Sequence, residues 1–123
     1  MIIKGKSYVI KLKGQTYHCA LDVTMDYIGG KWKTVVLWYL RNKTMRFGEL
    51  KKQIPDITEK MLSIQLKKLE DDGLVKREVF AEVPLRVEYS LTEFGKTLSP
   101  VVESIARWGR NLGETEGKIV EGK

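Results

Sequence analysis

Apolar positions recur along this chain with two different periods, and the switches between them outline its elements. In KWKTVVLWYLRN (31–42), Trp32, Val35, Val36, Leu37, Trp38, Tyr39 and Leu40 cover most of a helical wheel, the pattern of a central buried helix. Before it, LDVTMDYI (21–28) predicts a short helix closed by Gly29-Gly30. After it, Thr44–Phe47 reads as a short extended piece. Phe47, Leu50 and Ile54 then recur at i, i+3 and i+7, predicting a helix over about 48–54 that Pro55 and Asp56 break. A longer helix should run from Thr58 to about Asp71, with Thr58 as N-cap and Gly73 at the stop. Met61 stands where a full capping box needs Glu or Gln.

The period next changes to that of extended chain. Strands of roughly 74–80 and 85–91 are rich in Val, Leu, Phe and Tyr, with Ala81 to Pro84 at the tip of a hairpin. From Thr92 the helical period returns. Phe94, Leu98, Val101, Val102, Ile105, Trp108 and Leu112 lie within about 120° of one another. Their phase holds across Pro100, which predicts one kinked helix about 30 Å long. At the other end, SYVIKLKGQTYH (7–18) suggests a strand, a Lys13-Gly14 turn and a second extended piece, either a hairpin or an arm on a partner subunit.

Helix, turn, helix and two strands in this order predict an α+β, mainly α fold. It is a winged helix-turn-helix with a two- to three-stranded wing sheet and a long C-terminal dimerisation helix. Residues 1–113 should form a single domain with an N-terminal extension, and 114–123 a disordered tail. The last apolar stripe is too long for one subunit's core. Leu98, Val102, Ile105, Trp108 and Leu112 are therefore expected at a homodimer interface, with the first half of the stripe also packing within its own chain.

Such a module places one helix in the major groove of double-stranded DNA. On the Thr58–Asp71 helix, Leu62, Leu66 and Leu69 define a buried side, which leaves Lys60, Ser63, Ile64, Lys67 and Lys68 facing away. Lysines reach phosphates or guanine edges, and a serine hydroxyl can donate or accept. Ile64 has no packing reason to face outward, and a thymine methyl would supply one; otherwise it is a tolerated surface apolar residue. Thr58 and Lys60 stand at the helix N-terminus, where free N–H groups favour a phosphate. Arg77 on the first strand, Arg86 near the wing tip and Arg46 beside the small extended piece are further DNA candidates. Arg86 could reach the minor groove, against the alternative of ion pairs with Glu78, Glu82 or Glu88.

Charge changes this picture less than its total suggests. The net charge is +6, but residues 46–79 carry eight basic side chains against seven acidic ones. Residues 1–20 carry four lysines and no acid. The excess favours polyanions and lies mostly outside the helix-turn-helix. No apolar run approaches the ~20 residues of a membrane span, and the lysine-punctuated N-terminus lacks the apolar core of a secretory signal. A cytoplasmic protein with no membrane partner is expected. One cysteine, Cys19, excludes an intramolecular disulfide.

At these residues the chain resembles the HxlR family of bacterial winged-helix transcriptional regulators, relatives of the MarR type. The pieces that carry the resemblance are GGKWKTVVL (29–37), MRFGELKKQI (45–54), ITEKMLSIQLKKLEDDGLVKR (57–77) and VEYSLTEFGKTLSPVVESIARWG (87–109). With Cys19-Ala20-Leu21 they span about 90 residues in order. The resemblance implies a homodimeric DNA-binding regulator, usually a repressor, bound to a palindromic operator and dimerised through its terminal helices. In some members a cysteine followed by proline senses oxidants or electrophiles. Here Cys19 matches, but Ala20 replaces the proline. Cys19 is thus either a redox sensor or a buried small hydrophobe. A small effector bound between the dimer helices and the core is a further route of release, its chemistry unknown.

An enzyme is not expected. The only histidine, His18, adjoins the only cysteine, a poor nucleophile–base pair in extended chain. One Cys and one His fall short of a structural zinc set, and no glycine-rich phosphate loop is present, so neither metal nor cofactor is implied. The competing reading is a winged-helix adaptor that binds another protein through the same surface.

Overall fold

The computed structural model describes residues 2–122; Met1 and Lys123, which belong to the expected extension and tail, lie outside the described residues. Two small antiparallel hairpins open the chain. The first pairs β1 (Ile2–Ile3) with β2 (Lys6–Ser7), and the second pairs β3 (Ile10–Leu12) with β4 (Gln15–Tyr17). The second fulfils the hairpin reading of 7–18; the first has no counterpart in the sequence reading. Then come α1 (Ala20–Ile28), α2 (Lys33–Leu40), α3 (Phe47–Gln53) and α4 (Glu59–Asp71). The wing is β5 (Val75–Phe80) paired antiparallel with β6 (Arg86–Leu91), Val75 opposite Leu91 and Phe80 opposite Arg86. Two helices close the chain, α5 (Glu93–Lys96) and α6 (Ser99–Glu116).

Helix α2 is central, as its apolar wheel requires. It touches α3, α4, α6 and β6, and buries Val36, Leu37 and Leu40. Leu50 and Ile54 come in from α3 and its end, Ile57 from the turn, Leu62, Leu66 and Leu69 from α4, and Leu74, Val75 and Leu91 from the base of the wing. The expected third strand contracts to a single bridge. Met45 and Tyr89 exchange backbone hydrogen bonds of 3.0 and 2.8 Å and pair no further.

Gly73 ends the α4 segment with φ +77°, a conformation open to glycine. A hydroxyl clamp then fixes the next corner. Thr92 Oγ1 donates to the Gly73 carbonyl at 2.6 Å and accepts from Gly95 N–H at 2.9 Å, capping α5. A Cβ at Gly95 would collide with the Leu74 carbonyl oxygen, so only glycine lets α5 lie this close to the wing.

Three expectations about the C-terminus are corrected. The single kinked helix is two helices, because proline has no N–H and settles in a first helical turn. Pro100 starts α6 instead of bending a longer rod. Residues 114–116, expected in a disordered tail, are instead the last residues of α6, which continues to Glu116. Val102 is 3% exposed and Leu98 is half-buried against the core, so the first half of the stripe packs within its own chain as expected, and this burial takes Val102 out of the expected dimer interface. The stripe facing solvent is instead Val101, Ile105, Trp108 and Leu112, at 40, 48, 68 and 44% exposure. Leu21 and Met25 of α1 are exposed as well.

Candidate nucleic-acid interface

Helix α4, the candidate reading helix, is held at its start and along its buried side. At its start Thr58 is extended and its Oγ1 accepts the Met61 N–H at 3.0 Å, satisfying one of the orphan donors of the first turn. Lys51 of α3 donates to the Pro55 carbonyl at 3.2 Å and ties α3 to the turn. Along its inner side Leu62, Leu66 and Leu69 are fully or almost fully buried. Their burial orients everything else on the rod. Lys60, Ser63, Lys67 and Lys68 are exposed on the other side, together with Ile64 at 37%. Thr58 and Glu59 are also exposed at the helix start, so an anion approaching the free N–H groups meets one carboxylate.

Between α4 and the base of the wing lies an open groove of about 240 Å³, lined by Ser63, Leu66, Lys67, Glu70, Arg77 and Tyr89. The fold thus brings Ser63 and Lys67 of α4 together with Arg77 of β5. Arg77 stands opposite Tyr89, and Tyr89 bridges to Met45, next to the exposed Arg46. The Arg46 N–H donates to Glu49 Oε1 at 2.9 Å at the start of α3. Lys60, Ile64 and Lys68 lie outside this groove on the free side of the helix.

Two charged side chains sit differently from their sequence reading. Lys67 Nζ is 3.0 Å from Asp71 and 3.9 Å from Glu70. The hydrogen bond to Asp71, with the charges of Asp71 and Glu70 behind it, holds its ammonium above the ordinary lysine range. A phosphate must compete with these carboxylates for it. Both lie at the i+3 and i+4 spacing that was legible in the sequence.

Arg86 departs further. Its guanidinium is 2.9 Å from Glu88 and 3.2 Å from Glu82, and it stacks on Phe80 at 3.8 Å from the ring centroid. Phe80 and Arg86 are directly opposed in the hairpin, so their side chains share one face. Of the two readings of Arg86, the structure shows the ion pairs, with Glu82 and Glu88, and a minor-groove contact would have to compete with them. What the tip offers is apolar: Val83 is fully exposed and Leu85 is 62% exposed.

Cys19 is the N-cap of α1, half-exposed, and makes no side-chain cap bond. His18 lies beside it and meets Asp22 through Nδ1 at 3.2 Å. A separate apolar cavity of about 320 Å³ opens between α2 and α6, walled by Val35, Trp38, Tyr39, Val102, Ile105 and Ala106. Among the described residues no cluster could hold a metal ion, and no helix is long and apolar enough to cross a membrane.

Comparison with known proteins agrees with this geometry. The model of the HxlR-like helix-turn-helix family matches residues 27–117. The chain is 46% identical over 101 residues to the HTH-type transcriptional regulator YdeP of Bacillus subtilis, covering 82% of this chain and 79% of that protein. To the HTH-type transcriptional regulator BH0655 of Halalkalibacterium halodurans it is 53% identical over 87 residues, 70% and 77% of the two chains. Among solved structures, the redox regulator HypR in its oxidized form superposes with a TM-score of 0.73 at 47% identity, covering 76% of this chain and 96% of that one. A winged helix whose α4 turns Lys60, Lys67 and Lys68 outward and relatives of this kind lead to one assignment. The chain belongs to the HxlR-like helix-turn-helix family and is a DNA-binding transcriptional regulator.

Proposed function

We propose that the protein acts as a homodimeric repressor, setting two α4 helices into successive major grooves of a palindromic operator. The observation that carries this reading is the free face of α4, where Lys60, Ser63, Ile64 and Lys68 stand clear of the core that Leu62, Leu66 and Leu69 enter. Ser63 and Ile64 are the base-reading candidates. Lys60, Lys68, Arg46 and Arg77 reach the backbone, and Lys67 does so on leaving Asp71. The exposed stripe Val101, Ile105, Trp108 and Leu112 favours pairing of two α6 helices, since a lone chain leaves these side chains in water. The test is a footprint and anisotropy titration on the protein's own upstream region. Half-sites one helical turn apart, about 34–36 Å, are expected. Binding no tighter than to random duplex would sink the reading, and with it leave the adaptor as the better description.

Release by oxidation at Cys19 is part of the same proposal, supported by its half-exposed position and by the likeness to a regulator described as redox-responsive. Two Cys19 thiols, one from each subunit, would give up two electrons and two protons to an azo oxidant such as diamide, whose N=N bond becomes a hydrazine. One intersubunit S–S bond forms. Diamide should then shift the chain to a dimer on a non-reducing gel and weaken operator binding, and Cys19→Ser should do neither. Equal responses from both proteins would remove Cys19 from the mechanism.

A further inference from the structure

The two N-terminal hairpins are built on one plan. Each closes on a Lys-Gly pair with both residues at positive φ: 50° and 77° at Lys4-Gly5, 50° and 78° at Lys13-Gly14. A two-residue turn of this kind takes Asn, Asp or Gly easily at its first central place. A lysine there holds a disfavoured backbone, so turn formation does not account for it. What it does is carry an ammonium to each tip. Lys6 and Lys11 add charges from the strands, and residues 1–20 contain no acid. All four lysines are exposed, and none is ion-paired among the described residues; Lys13 lies 5.8 Å from the Tyr27 ring centroid.

The hairpins also cover little of themselves. Ile3, Tyr8 and Val9 are 48, 44 and 54% exposed, and a two-stranded ribbon without a surface to lie on is marginal in water. The second hairpin is fastened to the body. Tyr17 donates to Asp26 at 2.5 Å, and Leu12 and Lys13 form a small cavity with Tyr27 and Asp72. That places the ribbon against α1 and the C-terminal end of α4. It precedes the family match, which begins at residue 27.

We propose that these hairpins form a basic arm that lies on the phosphate backbone of the duplex, beyond the segment that α4 reads. The charge distribution argues for it. Residues 46–79, which include α3, α4 and the start of the wing, are almost neutral, eight basic against seven acidic. A reading module whose eight cations are almost matched by seven carboxylates draws less on the electrostatic attraction that supplies most non-specific affinity, and the arm adds four charges with no acid beside them in residues 1–20. The inference rests on duplex DNA being the ligand but not on a palindrome or a particular operator, since phosphate contacts carry no sequence information.

The test uses the full chain with Lys4→Gln, Lys6→Gln, Lys11→Gln and Lys13→Gln together, titrated by anisotropy against a random-sequence duplex over a range of salt. Each phosphate contact contributes about 0.9 to the slope of log affinity against log salt, so the slope should fall by about three to four, with affinity at low salt down about tenfold or more. The matching four Lys→Arg changes should keep the wild-type slope, separating charge from folding of the ribbon. An unchanged slope in the glutamine variant overturns the proposal. So does loss of dimer in sedimentation, which would assign the ribbon to subunit contact.

Discussion

Arg86 Nη1 lies 2.9 Å from Glu88 Oε2, on the same face of the wing as the Phe80 ring beneath the guanidinium. DNA must compete with two carboxylates and a ring for this guanidinium. Arg77 of β5 has no such tie among the described residues and lines the groove with Ser63 and Lys67.

These two wing arginines should therefore separate in mutation. Arg77→Ala should reduce the salt slope of DNA binding by about one, equally on operator and random duplex. Arg86→Ala should leave the slope unchanged and lower stability by about 1 kcal/mol, through lost stacking and partly exposed ion pairs. Chemical denaturation and anisotropy on the same two proteins check both halves. Loss of slope in Arg86→Ala would restore it to the DNA surface.

Lys67 and Lys60 should also differ, because only Lys67 is held by Asp71. Lys60→Ala should weaken binding more than Lys67→Ala. Asp71→Asn should strengthen it at low salt and steepen the slope by about 0.9, since it releases one cation for a phosphate. The gain should fade as ionic strength rises. Weaker binding by Asp71→Asn would mean that the carboxylate positions the lysine instead of competing for it.

The two halves of the α6 apolar stripe are predicted to fail in different ways. Val102→Ala removes buried methyl groups from the intrachain core and should cost about 2 kcal/mol while leaving the dimer intact. Trp108→Glu changes a side chain that is 68% exposed, so the fold should persist. Sedimentation should then report monomer, and operator affinity should collapse. A dimer of unchanged strength in Trp108→Glu would place the interface elsewhere.

The N-terminal ribbon carries a pH signature. The hydrogen bond from Tyr17 to the Asp26 carboxylate, reinforced by burial, pushes its phenol from 10.0 up to about 12. The fold thus holds this proton more tightly than the unfolded chain does. Its contribution is complete below about pH 10 and is lost as pH rises through about 12. Wild type should lose thermal stability over that window more steeply than Tyr17→Phe, with the lysines titrating alike in both. Parallel curves would remove the Tyr17–Asp26 bond from the stability of the ribbon.

Much of the reading surface was legible because side-chain period is a local property. Leu62, Leu66 and Leu69 at helical spacing settle which side of α4 is buried, and their opposites follow without knowledge of any neighbour. Thr58 and Gly73 mark the ends of that helix for equally local reasons, a side-chain acceptor and a positive φ. The first hairpin was missed because its strands are two residues long, too short for a period to register.

By itself the sequence determined the order of elements, the buried side of each helix and the cationic face of α4, since these depend on residues a few positions apart. Tertiary structure alone decided which partner each outward group meets. Arg86 had three glutamates within reach on paper; the register that sets it opposite Phe80 selects Glu82 and Glu88. Val102 and Ile105 share one stripe, and only the line along which α6 crosses α2 puts the first in the core and leaves the second half-exposed. Periodicity assigns a residue to a side of a helix, whereas what covers that side comes from distant chain, held there by packing that no local pattern records.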